Sequence, residues 1–394
     1  MKKVIIYIAI FIVILSGITF YVNSQQTKNT ESTILKKGVE NKPPSSQIED
    51  IPKPLQEQEQ IQKEEKHTTS ATIAAIGDIL IHDRVYEPAK LENGEYDFMP
   101  YVKEVQQLTE SSDLTIANQE TVIGGQEIGL SSYPSFNSPF EVGDTLKEIG
   151  IDVVTLANNH TLDRGEKAIK SGISHWKELN MVYTGSYEST DDRNKIRIID
   201  KNDISFAFLA YTYGTNGITP PKGKPYLVNY IEEETIRNDI KEAKKNADIV
   251  VVSLHFGKEY ERMPNDFQKN VVAYTANAGA DIIIGHHPHV LQPMEWFERE
   301  NGERTFVAYS LGNFLSGQTE DYRDIGGVMQ ITVEKTLEND KETITIKNPV
   351  FVPTYVNENY FVSPLETEPN MQKLYKEIKS HMNQWLPELQ FSLH

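Results

Sequence analysis

Five short runs of β-branched and aliphatic residues in this chain each end on polar residues able to hold a metal ion, and this recurrence constrains the fold more than any other feature. Ala71 to Gly77 runs into Asp78, Leu114 to Ala117 into Asn118 and Glu120, and Ile151 to Ala157 into Asn158, Asn159 and His160. Ile249 to Leu254 runs into His255, and Asp281 to Ile284 into Gly285-His286-His287-Pro288-His289. A short apolar run bounded by turn residues reads as a buried strand, and the carboxyl edge of an open α/β sheet is where such folds bind ligands. Imidazole is the commonest protein ligand for a transition metal. One histidine at a strand end is usually a hydrogen-bonded structural residue. Five strand ends carrying Asp, Asn, Glu and His point instead to one shared metal site, mononuclear or polynuclear.

Between these runs lie amphipathic stretches at residues 140–148, 165–179, 232–245 and 264–278, each with the spacing of a helix and each preceding a strand-like run. That alternation predicts an α/β domain. Residues 196–199 and 204–211 flank a polar turn and predict an antiparallel hairpin. Residues 305–311, 327–333 and 343–346 are further strands crowded together, so the sheets are expected to be mixed rather than purely parallel. No internal repeat is present. After Pro353 the pattern weakens, and residues 370–385 read as a peripheral terminal helix.

The amino end bears on location. Lys2 and Lys3 precede Val4 to Val22, 19 residues without a charge, about the length that crosses a bilayer. The small-residue sites nearby are poor for cleavage, so residues 1–23 are expected to form an uncleaved single-pass anchor in the cell membrane. The lysines should stay inside and the rest of the chain outside the cytoplasm. Residues 24–69 are rich in Gln, Glu, Lys, Ser and Thr with four prolines, the composition of a disordered stalk. With no cysteine, disulfides, thiolate ligands and a lipid-modified cysteine are excluded. The net charge is −18. Because the anchor adds two positive charges and the stalk one net negative, residues 70–394 carry about −19. Such a field excludes nucleic acid and anionic lipid as general partners, and any polyanionic ligand needs a local cationic centre.

Gly77 lets the backbone turn so that Asp78 faces the sheet edge. Asn118 and Glu120, two apart on an extended backbone, face the same side, and both offer oxygen to a hard or borderline cation. Asn158, Asn159 and His160 fall at a strand-to-helix turn where Thr161 or Asp163 is able to cap the next helix. A cap accounts for one polar residue there, not three. His255 opens onto the flexible turn Phe256-Gly257. His287 and His289, separated by Pro288, are expected to point the same way and grip one or two ions, with His286 facing elsewhere. No Gly-x-Ser-x-Gly elbow, P-loop or dinucleotide fingerprint occurs.

Six ordered segments resemble the capsule-synthesis protein CapA family of poly-γ-glutamate biosynthesis, a branch of the calcineurin-like metallophosphoesterases. They are Ala75-Ile76-Gly77-Asp78-Ile79, Ala117-Asn118-Gln119-Glu120, residues 157–165, Ser253-Leu254-His255-Phe256-Gly257, Gly285-His286-His287-Pro288-His289-Val290 and Tyr309-Ser310-Leu311-Gly312-Asn313-Phe314. The resemblance implies an α/β fold, a four-layer αββα sandwich of two mixed β-sheets flanked by helices, over residues 70–353, followed by an extension at residues 354–394. It implies a centre of one or two divalent ions (Mn, Zn or Fe) held by Asp78, Asn118, Glu120, Asn159, His255, His287 and His289. His160 would be the catalytic general acid or oxyanion stabiliser, with Asn158, His286 and Asn313 on the substrate side. Two departures from the superfamily pattern, Leu80 where His is usual and Asn or Glu for the bridging Asp, imply that one metal position is weakened or rebuilt. The implied partners are the membrane, other capsule-synthesis membrane subunits, and poly-γ-glutamate or another cell-surface polymer. Three roles follow as expectations: an accessory subunit of polymer synthesis or export, a cell-surface metal-dependent hydrolase of a phosphoester or amide, or a scaffold without turnover.

Overall fold

The structure, a computed structural model, describes residues 66–392. The proposed anchor and nearly all of the proposed stalk lie outside the described residues. Among the described residues no helix is long and apolar enough to cross a membrane.

In chain order the strands are β1 (Lys66–Leu80), β2 (Leu114–Gln119), β3 (Val153–Thr155), β4 (Val182–Thr184), β5 (Arg197–Lys201), β6 (Ile204–Thr212), β7 (Ile249–His255), β8 (Ile282–His286), β9 (Leu291–Glu298), β10 (Arg304–Leu311), β11 (Asn313–Ser316), β12 (Ile325–Glu338), β13 (Lys341–Val356) and β14 (Val362–Pro364). The longer helices are α1 (Glu141–Glu148), α2 (Gly165–Glu178), α3 (Glu233–Ala243), α4 (Asp266–Asn277) and α5 (Gln372–Met382). One sheet runs β14-β13-β12-β1-β2-β3-β4, with β11 also paired to β1, and the other runs β5-β6-β7-β8-β10-β9. Both are mixed, as expected. β1 to β4 and β6-β7-β8-β10 pair in parallel, while β12, β13, β5 and β9 join antiparallel.

Strand alternation sorts the core into layers, since successive side chains point to opposite faces. Ile73 and Ala75 of β1 join Ile116, Phe206, Val251, Ile284 and Phe306 between the two sheets. Their neighbours Ala74 and Ile76 turn outward to meet Val142 and Leu146 of α1 and Ile169, Ile173 and Trp176 of α2. On the second sheet Val250, Val252 and Ile283 turn outward to Ile236 and Ile240 of α3 and Val271 and Val272 of α4. The order is therefore helices, sheet, sheet, helices. Each fully buried Ile, Val or Phe side chain contributes about 1.5–3 kcal/mol by leaving water.

Asn265 caps α4 by accepting from the Gln268 N–H, and Gln268 reaches back to the Asn265 N–H, a reciprocal pair that satisfies two free donors. At α2 the expected cap is absent: the N-cap is Arg164, without a side-chain bond. Thr161 instead donates to the Leu156 carbonyl (2.6 Å), and Asp163 accepts from the Phe136 N–H (2.8 Å). The terminal helix α5 buries Tyr375, Ile378 and Met382 in the same cluster as Phe306 and Phe351.

Candidate metal centre

The ends of β1, β2, β7 and β8 meet where the two sheets come together. Two glycines make this approach possible. A Cβ on Gly77 would lie 2.3 Å from the Gly312 carbonyl oxygen, and one on Gly285 would lie 2.0 Å from that of Tyr309. Any larger residue at either position would push the strands apart just before Asp78 and His286.

Asp78 is fully buried. Its Oδ1 accepts from Asn118 Nδ2 (2.8 Å) and faces His286 Nδ1 (3.0 Å), and its Oδ2 faces the His287 N–H (3.3 Å) and His289 Nδ1 (3.2 Å). Burial alone would raise this carboxyl, but the bonds and charges of His286 and His289 hold it well below the usual range. His289 responds in kind. Desolvation would lower its pKa, yet the Glu120 and Asp78 carboxylates lift it to about 9.

Glu120 is the least satisfied group in the centre. It is fully buried, and neither carboxylate oxygen has a hydrogen-bond partner. Its Oε1 lies 3.6 Å from both His255 Nε2 and His289 Nε2, and burial pushes its pKa well above the ordinary carboxylate value. His287 Nδ1 and His286 Nε2 are likewise buried without partners. Burial and the neighbouring His289 depress His287 to about 3, and burial with the charge of His287 depresses His255. The His287 and His255 imidazoles are therefore neutral, the form that ligates metal. His287 and His289 both have left-handed backbones, φ 98° and 57°, a strain of roughly 1–3 kcal/mol each for residues other than glycine.

Three sets of donors each fall within 4.8 Å: Glu120, His255 and His287; Asp78, Glu120 and His289; and Glu259, His287 and His289. Glu120 belongs to two of them. Unpartnered buried acceptors cost about 1–3 kcal/mol each, more when charged, and a divalent cation satisfies several at once. Mixed nitrogen and oxygen donors suit Mn²⁺, Fe²⁺ or Zn²⁺. The residues present thus fit a divalent metal.

Of the residues singled out from sequence, Asp78, Glu120, His255, His287 and His289 converge on this point. Asn118 and Asn159 sit one bond further out: Asn118 donates to Asp78, and Asn159 Oδ1 lies 2.8 Å from His255 Nε2. His286, expected to face elsewhere, instead contacts Asp78, because β8 ends directly beside the end of β1. Asn313 holds His289, its Oδ1 3.1 Å from the ring Nδ1. Asn158 spends its amide on backbone, donating to the Gln119 carbonyl (2.9 Å) and accepting from the His160 N–H (3.0 Å). His160 packs edge-on to Phe136, and its Nδ1 lies 2.7 Å from Asp163 Oδ2. Asp163 is thus an orienting partner that the sequence reading took only for a helix cap. Glu259, and the half-exposed Tyr213 and Tyr260 whose rings lie tilted beside His287 and His289, were missed; closeness to the His255 turn in sequence pointed to Glu259 and Tyr260, and nothing in the sequence pointed to Tyr213.

Residues 72–318 match the family model described as bacterial capsule synthesis protein PGA_cap. The chain is 33% identical over 247 residues to the PGA biosynthesis protein CapA of Bacillus subtilis (strain 168), covering 62% of each chain. It is 31% identical over 264 residues to the capsule biosynthesis protein CapA of Bacillus anthracis, covering 63% of this chain and 60% of that one. The matches thus span about three-fifths of these relatives' own lengths. A putative 5'-nucleotidase from Staphylococcus aureus, solved in complex with alpha-ketoglutarate, is similar with a TM-score of 0.44 and 17% identity, over 79% of this chain and 58% of that one.

Proposed function

Because the chain belongs to the bacterial capsule synthesis protein PGA_cap family, we propose that it is a membrane-anchored, extracytoplasmic component of poly-γ-glutamate capsule synthesis or export, built around a divalent-metal centre in a calcineurin-like domain. The observation that carries the metal centre is Glu120: a buried carboxylate with both oxygens unpartnered, flanked by His255 and His289. The names of the two Bacillus relatives support the capsule role, and the uncharged run from Val4 to Val22 supports the anchor. Asp78, Glu120, His255, His287 and His289 would hold the metal. When bound, it would supply Lewis acidity to an anionic or carbonyl group of the polymer.

A second reading, hydrolysis at the cell surface, is favoured by His160. Its ring is buried and its Nδ1 lies 2.7 Å from Asp163 Oδ2. An imidazole oriented in this way is equipped to hand a proton to a leaving group.

Metal analysis of the full-length chain purified in detergent, beside His287→Ala/His289→Ala, tests the reading. The wild type should retain one or two divalent ions and restore capsule to a strain lacking the gene, and the folded double variant should do neither. Equal metal content in both proteins overturns the proposed centre.

A further inference from the structure

We infer that Arg84 and Arg323 form an anion-recognition rim beside the metal centre, which takes carboxylate groups of an extended anionic polymer laid across the mouth. The inference rests on the capsule-polymer reading for the identity of the anion, and on residues outside the metal-ligand set for its place.

The topology brings the two arginines to this edge. β11 runs parallel to β1 with Ser316 beside Leu80, so the chain leaves both strands where Asp78 sits. The Gly317 N–H donates to His82 Nδ1 (3.2 Å), and a Cβ on Gly317 would stand 2.9 Å from Arg84 Cγ. The Arg84 stem therefore lies against this turn. Arg323 belongs to the same loop. Its carbonyl accepts from Asn313 Nδ2 (2.8 Å), the side chain whose Oδ1 faces His289 Nδ1. Its guanidinium carbon lies 5.1 Å from the centre of the Tyr260 ring, which in turn lies 6.3 Å from the His289 ring. Glu320, Asp321 and Tyr322, immediately before it, all have left-handed backbones, φ 67°, 48° and 66°. Residues other than glycine persist in that region only where the surrounding structure imposes it, so the loop is shaped to present Arg323.

Charge is the second observation. Arg193, Arg197, Arg237, Arg262 and Arg299 each hold a carboxylate at 3.1 Å or closer, and Arg164 bonds the carbonyls of Ile128 and Gly129. Arg84 and Arg323 differ. Among the described residues Arg84 has no carboxylate within 4.0 Å, and the neighbouring Asp83 carboxylate instead accepts from the Arg84 N–H and Ser132. Beyond one bond from Nε to the Glu320 carbonyl (3.1 Å), Arg323 has only Asp321, 3.7 Å away on a side chain that is 88% exposed. Two guanidiniums thus reach the mouth of a strongly acidic domain without a firm carboxylate partner. Each presents a planar fork that matches a carboxylate and is more weakly hydrated than an ammonium. Successive carboxylates of an extended chain would meet both arginines as well as the metal, and so be held where the general field of the domain would repel them.

The test is fluorescence anisotropy of a labelled poly-γ-glutamate oligomer with the full-length chain in detergent and Mn²⁺, for wild type, Arg84→Gln, Arg323→Gln, the double variant and Arg304→Gln. Arg304 lies over Trp296 at the opposite end of β10, so its replacement removes positive charge from the same field away from the site. Wild type and Arg304→Gln should bind alike. The double variant should bind on the order of ten-fold or more weakly, each single variant should show part of that loss, and the fall in affinity with added salt should become shallower. Because both arginines reach solvent, metal content and melting temperature should match wild type, which separates a lost contact from a lost fold. Equal binding by the double variant, or an equal loss in Arg304→Gln, overturns the rim while leaving the capsule reading standing. Displacement of the oligomer by inorganic polyphosphate at lower concentration than by unlabelled poly-γ-glutamate overturns the carboxylate assignment. If the wild type binds no oligomer, the rim and direct polymer contact both fall, and capsule restoration in the cell decides the capsule role independently.

Discussion

Replacing Glu120 with glutamine should reverse its effect according to whether metal is bound. In the chelated protein Glu120 is a buried carboxylate with no donor on either oxygen, close enough to Asp78 for their charges to repel. The neutral isostere removes that burden, so the chelated variant should melt at or slightly above the wild-type temperature. With metal the order inverts. Free ion at 100 times its dissociation constant stabilises the native state by about 2.7 kcal/mol. An unfolding entropy of about 2.1 cal/mol/K per residue over roughly 330 folded residues gives ~0.7 kcal/mol/K, so the wild type should gain about 4 °C. Glu120 belongs to two of the three donor sets. If its loss weakens binding a hundred-fold, the same metal concentration adds only about 0.4 kcal/mol, a shift below about 1 °C. Calorimetric melts of both proteins, with chelator and with Mn²⁺, decide the matter. A chelated variant several degrees below wild type, or a metal shift equal to the wild type's, refutes the assignment of Glu120 as a shared ligand.

His160→Ala should retain metal yet lose roughly 10²- to 10⁴-fold in any hydrolytic activity, and Asp163→Asn should lose less; wild-type turnover in His160→Ala would mean that no acid catalysis runs through this residue. Gly285→Ala drives a methyl group toward the Tyr309 carbonyl and should destabilise the fold by about 1–3 kcal/mol or more, read as a fall in melting temperature with and without metal alike. His82, buried beside Phe136 and lowered by desolvation to about 4, stays neutral when folded. Its contribution is present above pH 6.5 and is lost as the pH falls toward 4, by roughly 3 kcal/mol; His82→Asn should flatten that part of the stability profile. Mass analysis of the native protein should find an amino terminus that retains residues 4–22, and a mature form beginning near Asn23 in the medium would remove the proposed anchor.

What the sequence made legible was local and regular. The strand ends could be read because β-branched runs such as Ile249 to Leu254 stop abruptly at a ligating residue, and α1 to α4 lie within three residues of the apolar spacing that predicted them. What it hid depends on how two sheets stack. Asp78 and Glu120 lie at strand ends of one sheet, while His255, His287 and His289 lie at strand ends of the other. Strand alternation sent His286 away from the site, but alternation holds only within regular strand, and β1 shifts register on both sides of Asp78. Glu259 sits between Lys258 and Glu261 in what reads as a solvated turn; only the bond from Tyr260 to Pro288, 28 residues on, brings it to the histidines. The same geometry would give a bound ion a second role. A cation shared by Glu120 and His255 would join the two sheets at an edge where, without it, both oxygens of the buried Glu120 carboxylate have no hydrogen-bond partner. Metal binding and the stability of that edge should therefore rise and fall together, whatever the polymer chemistry proves to be.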